Sequence, residues 1–375
     1  MTKKWSSRLT FFAFVVLMVG LGSNDSLRGI FSTIFQEHFS LTTTQLGLIV
    51  TASYIGNLVF LLVGGNLSTR FSKKRVLQVL ILIWMAALAL FAFTSNYTVL
   101  LIGMALALGS STLLNTTMNL ITPLLFATAP GFFVNFLFFT QEIGTSGSQY
   151  MLGSHADGFA FWQHTNLVLL ILGAVAFVLL LFCNVPEEAA APADAPAQKG
   201  GYDWRIIVPY VLVFGFYFIA EHGVMNWMVA YGVDGLGLPQ ASAAKYLSVF
   251  FGGMMIGRLC LSPLVDKLGA LKSLAAFGGV SCVLYLIGSL GGAVTMPVWA
   301  ISGLSFSILY PTLVMSIRLY FPAQQVSGAA GTILSIASLA DILFNVGFGK
   351  LVDMAGYAVS IRVLPLSVLA FFIVF

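Results

Sequence analysis

Charge is scarce in this sequence: Asp, Glu, Lys and Arg together make up 8% of 375 residues, against about 25% in soluble domains. That scarcity excludes a globular domain with a water-exposed surface. Cysteine is scarce too. Cys183, Cys260 and Cys282 lie far apart in apolar sequence with no CxxC or Cys/His spacing, which excludes a thiolate metal site and a disulfide framework. HExxH, a nucleophile elbow and a sizeable soluble domain are all missing, so the chain reads as no enzyme and no cofactor is expected. No basic patch is interleaved with aromatics, and nucleic acid is not an expected partner.

Apolar residues fill the space that charge leaves, at 59% of the chain with 14% aromatic and a mean hydropathy of +0.97. A bilayer-spanning helix needs about 20 mostly apolar residues. Twelve segments meet that need: 9–35, 43–66, 75–95, 98–126, 131–153, 160–184, 205–232, 242–268, 270–291, 296–321, 326–350 and 356–375. The opening "MTKKWSSRLTFFAFVVLMVGLGSN" has the basic start and apolar body of a secretory signal. Its apolar run continues to Phe35, however, so it is read as a first span. The last span stops at Phe375, which leaves open whether the natural chain continues.

Placing the N-terminus in the cytoplasm puts Lys3, Lys4, Arg8, Arg70, Lys73, Lys74, Arg75, Lys199, Arg205, Lys267 and Lys272 inside. Lys245 and Lys350 are left for the other side, as the positive-inside rule requires. The expectation is a multi-pass protein of the plasma (inner) membrane, functional as a monomer. The stretch "PEEAAAPADAPAQKGG" lacks apolar periodicity and reads as a linker. It divides the chain into an N-terminal six-helix bundle (1–185), a cytoplasmic linker (186–204) and a C-terminal six-helix bundle (205–375).

The halves echo each other. "GGNLSTRFSKKRVL" aligns without a gap to "LSPLVDKLGALKSL", and the same offset of about 197 residues carries Asp25 onto His222. Duplicated six-helix halves with ionisable groups at matching depth imply a transporter with a central site. The fold class expected is all-α integral membrane, with twelve transmembrane helices in two pseudo-symmetric six-helix bundles.

A charge in mid-span costs about 2.5–3.5 kcal/mol on insertion scales, so each one needs a partner, a water-filled cavity or a function. In "GLGSNDSLRGIF" of the first span, Asn24 precedes Asp25, and Gly22, Asp25, Gly29 and Ser32 share a face. Desolvation suits Asp25 to carry a proton, whereas Arg28 at i+3 is placed to pair with it. Arg28 has two readings: counter-ion to Asp25 or Asp341, or a fork that grips a substrate carboxylate or phosphate. In the fifth span Glu142 shares a face with Asn135, Thr145 and Gln149, with Gln141 one step round. In the seventh, Glu221 and His222 point about 100° apart, Asn226 lies under His222, and Trp227 offers a stacking face. In the eleventh, Ser338, Asp341 and Asn345 form one polar face, and Tyr310 beside Pro311 in the tenth offers a hydroxyl at a kink. For each, the competing reading is helix packing by buried hydrogen bonds.

These stretches resemble the major facilitator superfamily over essentially the whole length. Its G-x-L-x-D-R-x-G-R-R signature is similar to Gly65, Leu67, Arg70, Lys73 and Lys74, with Thr69 in place of the acid and Ser72 in place of glycine. Leu264, Asp266, Lys267 and Gly269 repeat it in the second half. The resemblance implies a cytoplasmic gate at Gly65, Arg70, Lys73, Lys74, Asp266 and Lys267, weakened by the loss of the acid at Thr69. "GSNDSLRG", Asn119 with Pro123, "AEHGVMNWMVAYG" and "LYPTLVMSIRLYFP" further resemble the fucose permease-like branch of sugar–proton symporters. Two departures stand out. Asn115 and Asn119 occupy the place where sugar-transporting relatives can carry an acid, and Asp341 and Asn345 stand where small residues and a proline are usual.

The resemblance implies proton-coupled alternating access for a small polar solute, a sugar or sugar derivative, with sodium as the alternative coupling ion. Asp25, Glu142 and Glu221 are the candidates for proton coupling. Asn24, Arg28, Asn115, Asn119, Gln141, Glu142, Glu221, His222, Asn226, Trp227, Tyr310, Asp341 and Asn345 are the candidates for substrate contact. An organic anion held by Arg28, an effluxed amphiphile and a non-transporting sensor stay open as alternatives.

Overall fold

A computed structural model describes residues 3–126, 130–186, 203–321 and 323–375. The described residues are helical throughout, joined by short turns. The helices are α1 (Lys3–Ile30), α2 (Ser32–Phe39), α3 (Thr43–Arg70), α4 (Lys73–Phe93), α5 (Tyr97–Leu125), α6 (Pro130–Met151), α7 (Phe159–Phe182) and α8 (Trp204–Ala230). They continue with α9 (Gln240–Leu268), α10 (Ala270–Leu290), α11 (Met296–Ile301), α12 (Gly303–Phe306), α13 (Leu309–Ser316), α14 (Ala323–Ala355), α15 (Tyr357–Ser360) and α16 (Val363–Val374). Counting α1–α2, α11–α13 and α15–α16 as one pass each gives the twelve passes expected, and among the described residues eleven are long and apolar enough to cross a membrane. Of the linker expected at 186–204, residues 187–202 lie outside the described residues, and Trp204 already belongs to α8.

Local chemistry sets the boundaries. Asn96 caps α5 by accepting from the Val99 N–H at 3.2 Å, and Asp203 caps α8 through the Arg205 N–H at 2.9 Å. Ser40, at φ 53°, closes α2 in the left-handed region. The tenth pass breaks into three short helices because Ser302, Ser305, Ser307 and Ser316 each turn their hydroxyl back onto a carbonyl three residues earlier, competing with the backbone ladder.

The chain packs as two compact units. Unit 1 comprises residues 1–25, 52–145 and 158–201, and unit 2 comprises 26–51, 146–157 and 202–375. In unit 1, α4 lies between α5 and α7, and the buried Trp84, Phe91 and Trp162 fill the space, with Phe91 and Trp162 ring centroids 5.2 Å apart. Here α1 and α6 approach so closely that a methyl at Gly22 would overlap the Gln141 carbonyl and one at Gly144 the Val19 carbonyl. Small residues let the two backbones meet where hydrophobic driving force is absent.

In unit 2, α8 packs on α14 and α16, and α9 packs on α11 and α12. Its centre is aromatic. Tyr217 stacks on Phe306 at 4.9 Å and Tyr285 on the same ring at 5.4 Å, with Phe250 and Trp299 at the edges. The end of α1, all of α2, the start of α3 and the end of α6 belong to this unit, so segments from before and after the linker share one core.

Candidate functional site

In unit 1 the site is built on one stripe of α5. Ser111, Asn115 and Asn119 recur every fourth residue and therefore share a face. Asn119 donates to the Asn115 side-chain carbonyl at 2.6 Å, and Asn115 donates to the Gln141 side-chain carbonyl on α6 at 2.7 Å. At the other end of the stripe the Ser111 hydroxyl lies 3.4 Å from the nearer oxygen of Asp25 on α1, with the Asn24 amide 3.5 Å away. One face of α5 thus meets a carboxylate on α1 through Ser111 and an amide on α6 through Asn115. Glu142, half-buried, follows Gln141 on α6, and Thr145 donates to the Gly22 carbonyl at 3.2 Å. The side-chain oxygen of Asn119 is buried with no hydrogen-bond partner among the described residues.

Unit 2 holds a second cluster. Glu221 on α8 lies 4.0 Å from the Arg258 guanidinium on α9, at 13% and 28% side-chain exposure respectively. A wall of rings borders them: His222 stacks on Phe218 at 5.4 Å, Tyr310 sits 5.7 Å from Tyr217, and Phe214 meets Tyr310 edge-on. Glu221 and His222 therefore have different neighbours, as their spacing of about 100° requires. Arg28 is buried at 5% exposure in this unit, and Asn226 is buried as well.

Trp227 and Asn345 meet each other. The indole N–H donates to the Asn345 carbonyl at 2.8 Å, with both residues buried and the ring against Phe348 at 4.8 Å. In this structure the Trp227 face is covered by protein. Lys74 turns to the end of α7, where its ammonium donates to the carbonyls of Leu181 at 3.0 Å and Cys183 at 2.7 Å. Lys73 is half-buried at the start of α4 and Lys267 is exposed. The surroundings of Gly65 and the side chains of Arg70, Asp266 and Asp341 lie outside the described residues.

Two residues escaped the sequence reading. Ser111 is visible there as the next step back, by four residues, from Asn119 and Asn115. Arg258 is a lone base inside the apolar run "FFGGMMIGRLCL", the same signal that picked out Arg28.

The Major Facilitator Superfamily family model matches residues 10–345. The L-fucose-proton symporter of Escherichia coli (strain K12) is 24% identical over 333 residues, covering 77% of this chain and 75% of the relative. The cis,cis-muconate transport protein of Acinetobacter baylyi is also 24% identical, over 297 residues, covering 73% of this chain and 70% of the relative. A crystal structure of the nucleoside transporter NupG superposes with a TM-score of 0.80 at 12% identity, covering all of both chains, a likeness of fold alone. With a family model spanning most of its length and twelve helical passes in the matching fold, the chain belongs to the Major Facilitator Superfamily of membrane transporters.

Proposed function

We propose that this protein is a proton-coupled transporter of a small polar solute, a sugar or sugar derivative, working by alternating access between its two six-helix halves. The observation that carries the reading is the Asp25–Ser111 and Asn119–Asn115–Gln141 stripe. It combines a carboxylate able to exchange a proton with a row of amides and a hydroxyl suited to a polyol. The fucose–proton symporter among its relatives supports the same cargo class. Asp25 is the proton carrier. Glu142, and Glu221 with Arg258, are the other ionisable groups available to couple proton and solute, and the N-terminus lies in the cytoplasm.

The test is uptake by proteoliposomes under an imposed pH gradient, with labelled fucose, galactose and a dicarboxylate as solutes. Gradient-driven sugar uptake that Asp25→Asn abolishes, while sugar exchange persists, supports the reading. Gradient-driven uptake retained by Asp25→Asn removes the proton assignment, and absence of sugar binding in thermal-shift screens removes the cargo.

A second reading has one observation in its favour. A relative of equal identity transports cis,cis-muconate, and Arg28 is a buried guanidinium, the group best matched to a carboxylate. Saturable dicarboxylate uptake lost in Arg28→Gln supports that cargo instead.

A further inference from the structure

The start of α3 packs on the end of α14, and the start of α9 on the end of α6. All four belong to unit 2. The start of α3 carries the orphan N–H groups that every helix leaves in its first turn. Thr42 and Gln45 satisfy two donors reciprocally: the Thr42 N–H reaches the Gln45 side chain at 2.9 Å, and the Gln45 N–H reaches the Thr42 hydroxyl at 3.2 Å. The N–H groups of Thr43 and Thr44 remain. Asp353, near the end of α14, takes both, at 2.8 and 2.7 Å on its two oxygens, and also accepts from the Thr44 hydroxyl. An acid 310 positions away in the chain thus completes the cap of α3 and sits at the positive end of its dipole.

The contact below is built for close approach. A methyl at Gly349 would strike the Thr43 carbonyl and one at Gly47 the Asn345 carbonyl, and the Thr51 hydroxyl reaches the Ile342 carbonyl at 3.4 Å.

The internal repeat supplies a comparison. Offsets of 197 residues between α3 and α9 and of 196 between α6 and α14 map Thr51 onto Ser248, Ile342 onto Ser146, Asn345 onto Gln149 and Asp353 onto Asp157. The α6–α9 contact copies the α3–α14 contact at its inner end, where Ser248 donates to the Ser146 carbonyl at 2.9 Å. At the rim the copy fails. Among the described residues no side chain caps α9, whose cap position is Pro239. Asp157 and Gln240 instead line a cavity of about 420 Å³, and the Gln240 amide is turned to the Ile30 carbonyl at 2.6 Å and the Thr33 hydroxyl at 3.1 Å.

We propose that Asp353 is a one-sided latch: by capping α3 it holds the start of α3 closed against the end of α14, and the cap breaks when α3 and α14 part. Asp157, its counterpart in the repeat, does not share that role. The proposal concerns a contact within the protein and needs no assumption about cargo or proton.

Spin labels at His38→Cys and Met354→Cys, both exposed, in a background with the three native cysteines replaced, report the α2–α14 separation by pulsed dipolar spectroscopy. Labelled protein with Asp353 intact is expected to show mainly the short distance. Asp353→Ala is expected to raise the long-to-short population ratio on the order of fivefold, the worth of one exposed cap, and Asp157→Ala to leave it unchanged. Thr43→Pro removes one bonded N–H while proline suits the first helical position, and is expected to raise the ratio about threefold. It gives the same answer should Asp353→Ala fail to fold. Unchanged populations in Asp353→Ala or, failing that variant, in Thr43→Pro overturn the latch. An equal rise in Asp157→Ala overturns its one-sidedness. Solute uptake is not read, so loss of the transport reading leaves the result standing.

Discussion

The indole N–H of Trp227 on α8 donates to the side-chain carbonyl of Asn345 on α14 at 2.8 Å, and neither residue meets solvent. Asn345→Ala removes the only acceptor given to that buried N–H by the described contacts. It is expected to destabilise the protein by about 1–3 kcal/mol, seen as a lower melting temperature in detergent, whereas Asn345→Gln recovers part of the loss.

Gln149 occupies the corresponding place in the repeat, and the position matching Trp227 is there Ile30. Lacking an indole opposite it, Gln149 is fully buried with neither end of its amide bonded among the described residues. Gln149→Met, close in volume but apolar, is expected to stabilise the protein by about 1–2 kcal/mol. Thermal melting checks this; an unchanged or lower melting temperature counts against an unsatisfied amide.

Asn115 donates to Gln141 and accepts from Asn119. Asn115→Leu breaks both bonds, at an expected cost of about 1–2 kcal/mol in stability, and weakens solute binding if the stripe is the site. Binding measured by thermal shift with and without solute separates the two effects: stability lost with solute-induced shift retained means packing alone.

Glu221 and Arg258 are partly exposed and 4.0 Å apart, so their attraction contributes little to folding, about 0–1 kcal/mol. Glu221→Gln is therefore expected to change the melting temperature little while reducing transport at least tenfold. A large stability loss with normal transport assigns the pair to structure.

Lys74 donates to the final carbonyls of α7. Lys74→Met is expected to cost about 0.5–1 kcal/mol and to speed hydrogen exchange in the last turn of α7, while Lys74→Arg preserves both. The family-signature position thus has a structural duty within unit 1, whatever part it takes in gating.

The spans and their number were legible in the sequence because a bilayer demands about 20 apolar residues per pass wherever the chain crosses it. The stripe was legible in part. Asn115 and Asn119 stood out as amides in hydrocarbon, and Ser111 did not, because a serine that bonds its own helix is ordinary in a span. Residue type and spacing alone picked out Asp25, Arg28, Glu221 and Asp341, since every charge in a span raises the same question.

Partners were decided only by tertiary structure. Sequence spacing reaches one or two turns along a helix, whereas Glu221 finds Arg258 on another helix, Trp227 finds Asn345 118 residues away, and Asp353 caps a helix from 310. A tryptophan that sequence offered as a stacking face is covered by Asn345 and Phe348. An aspartate that sequence passed over, at the end of the eleventh pass, completes the start of the second. Helix length is a local demand of the membrane. Which polar groups meet depends on how the helices pack, and no single helix carries that information.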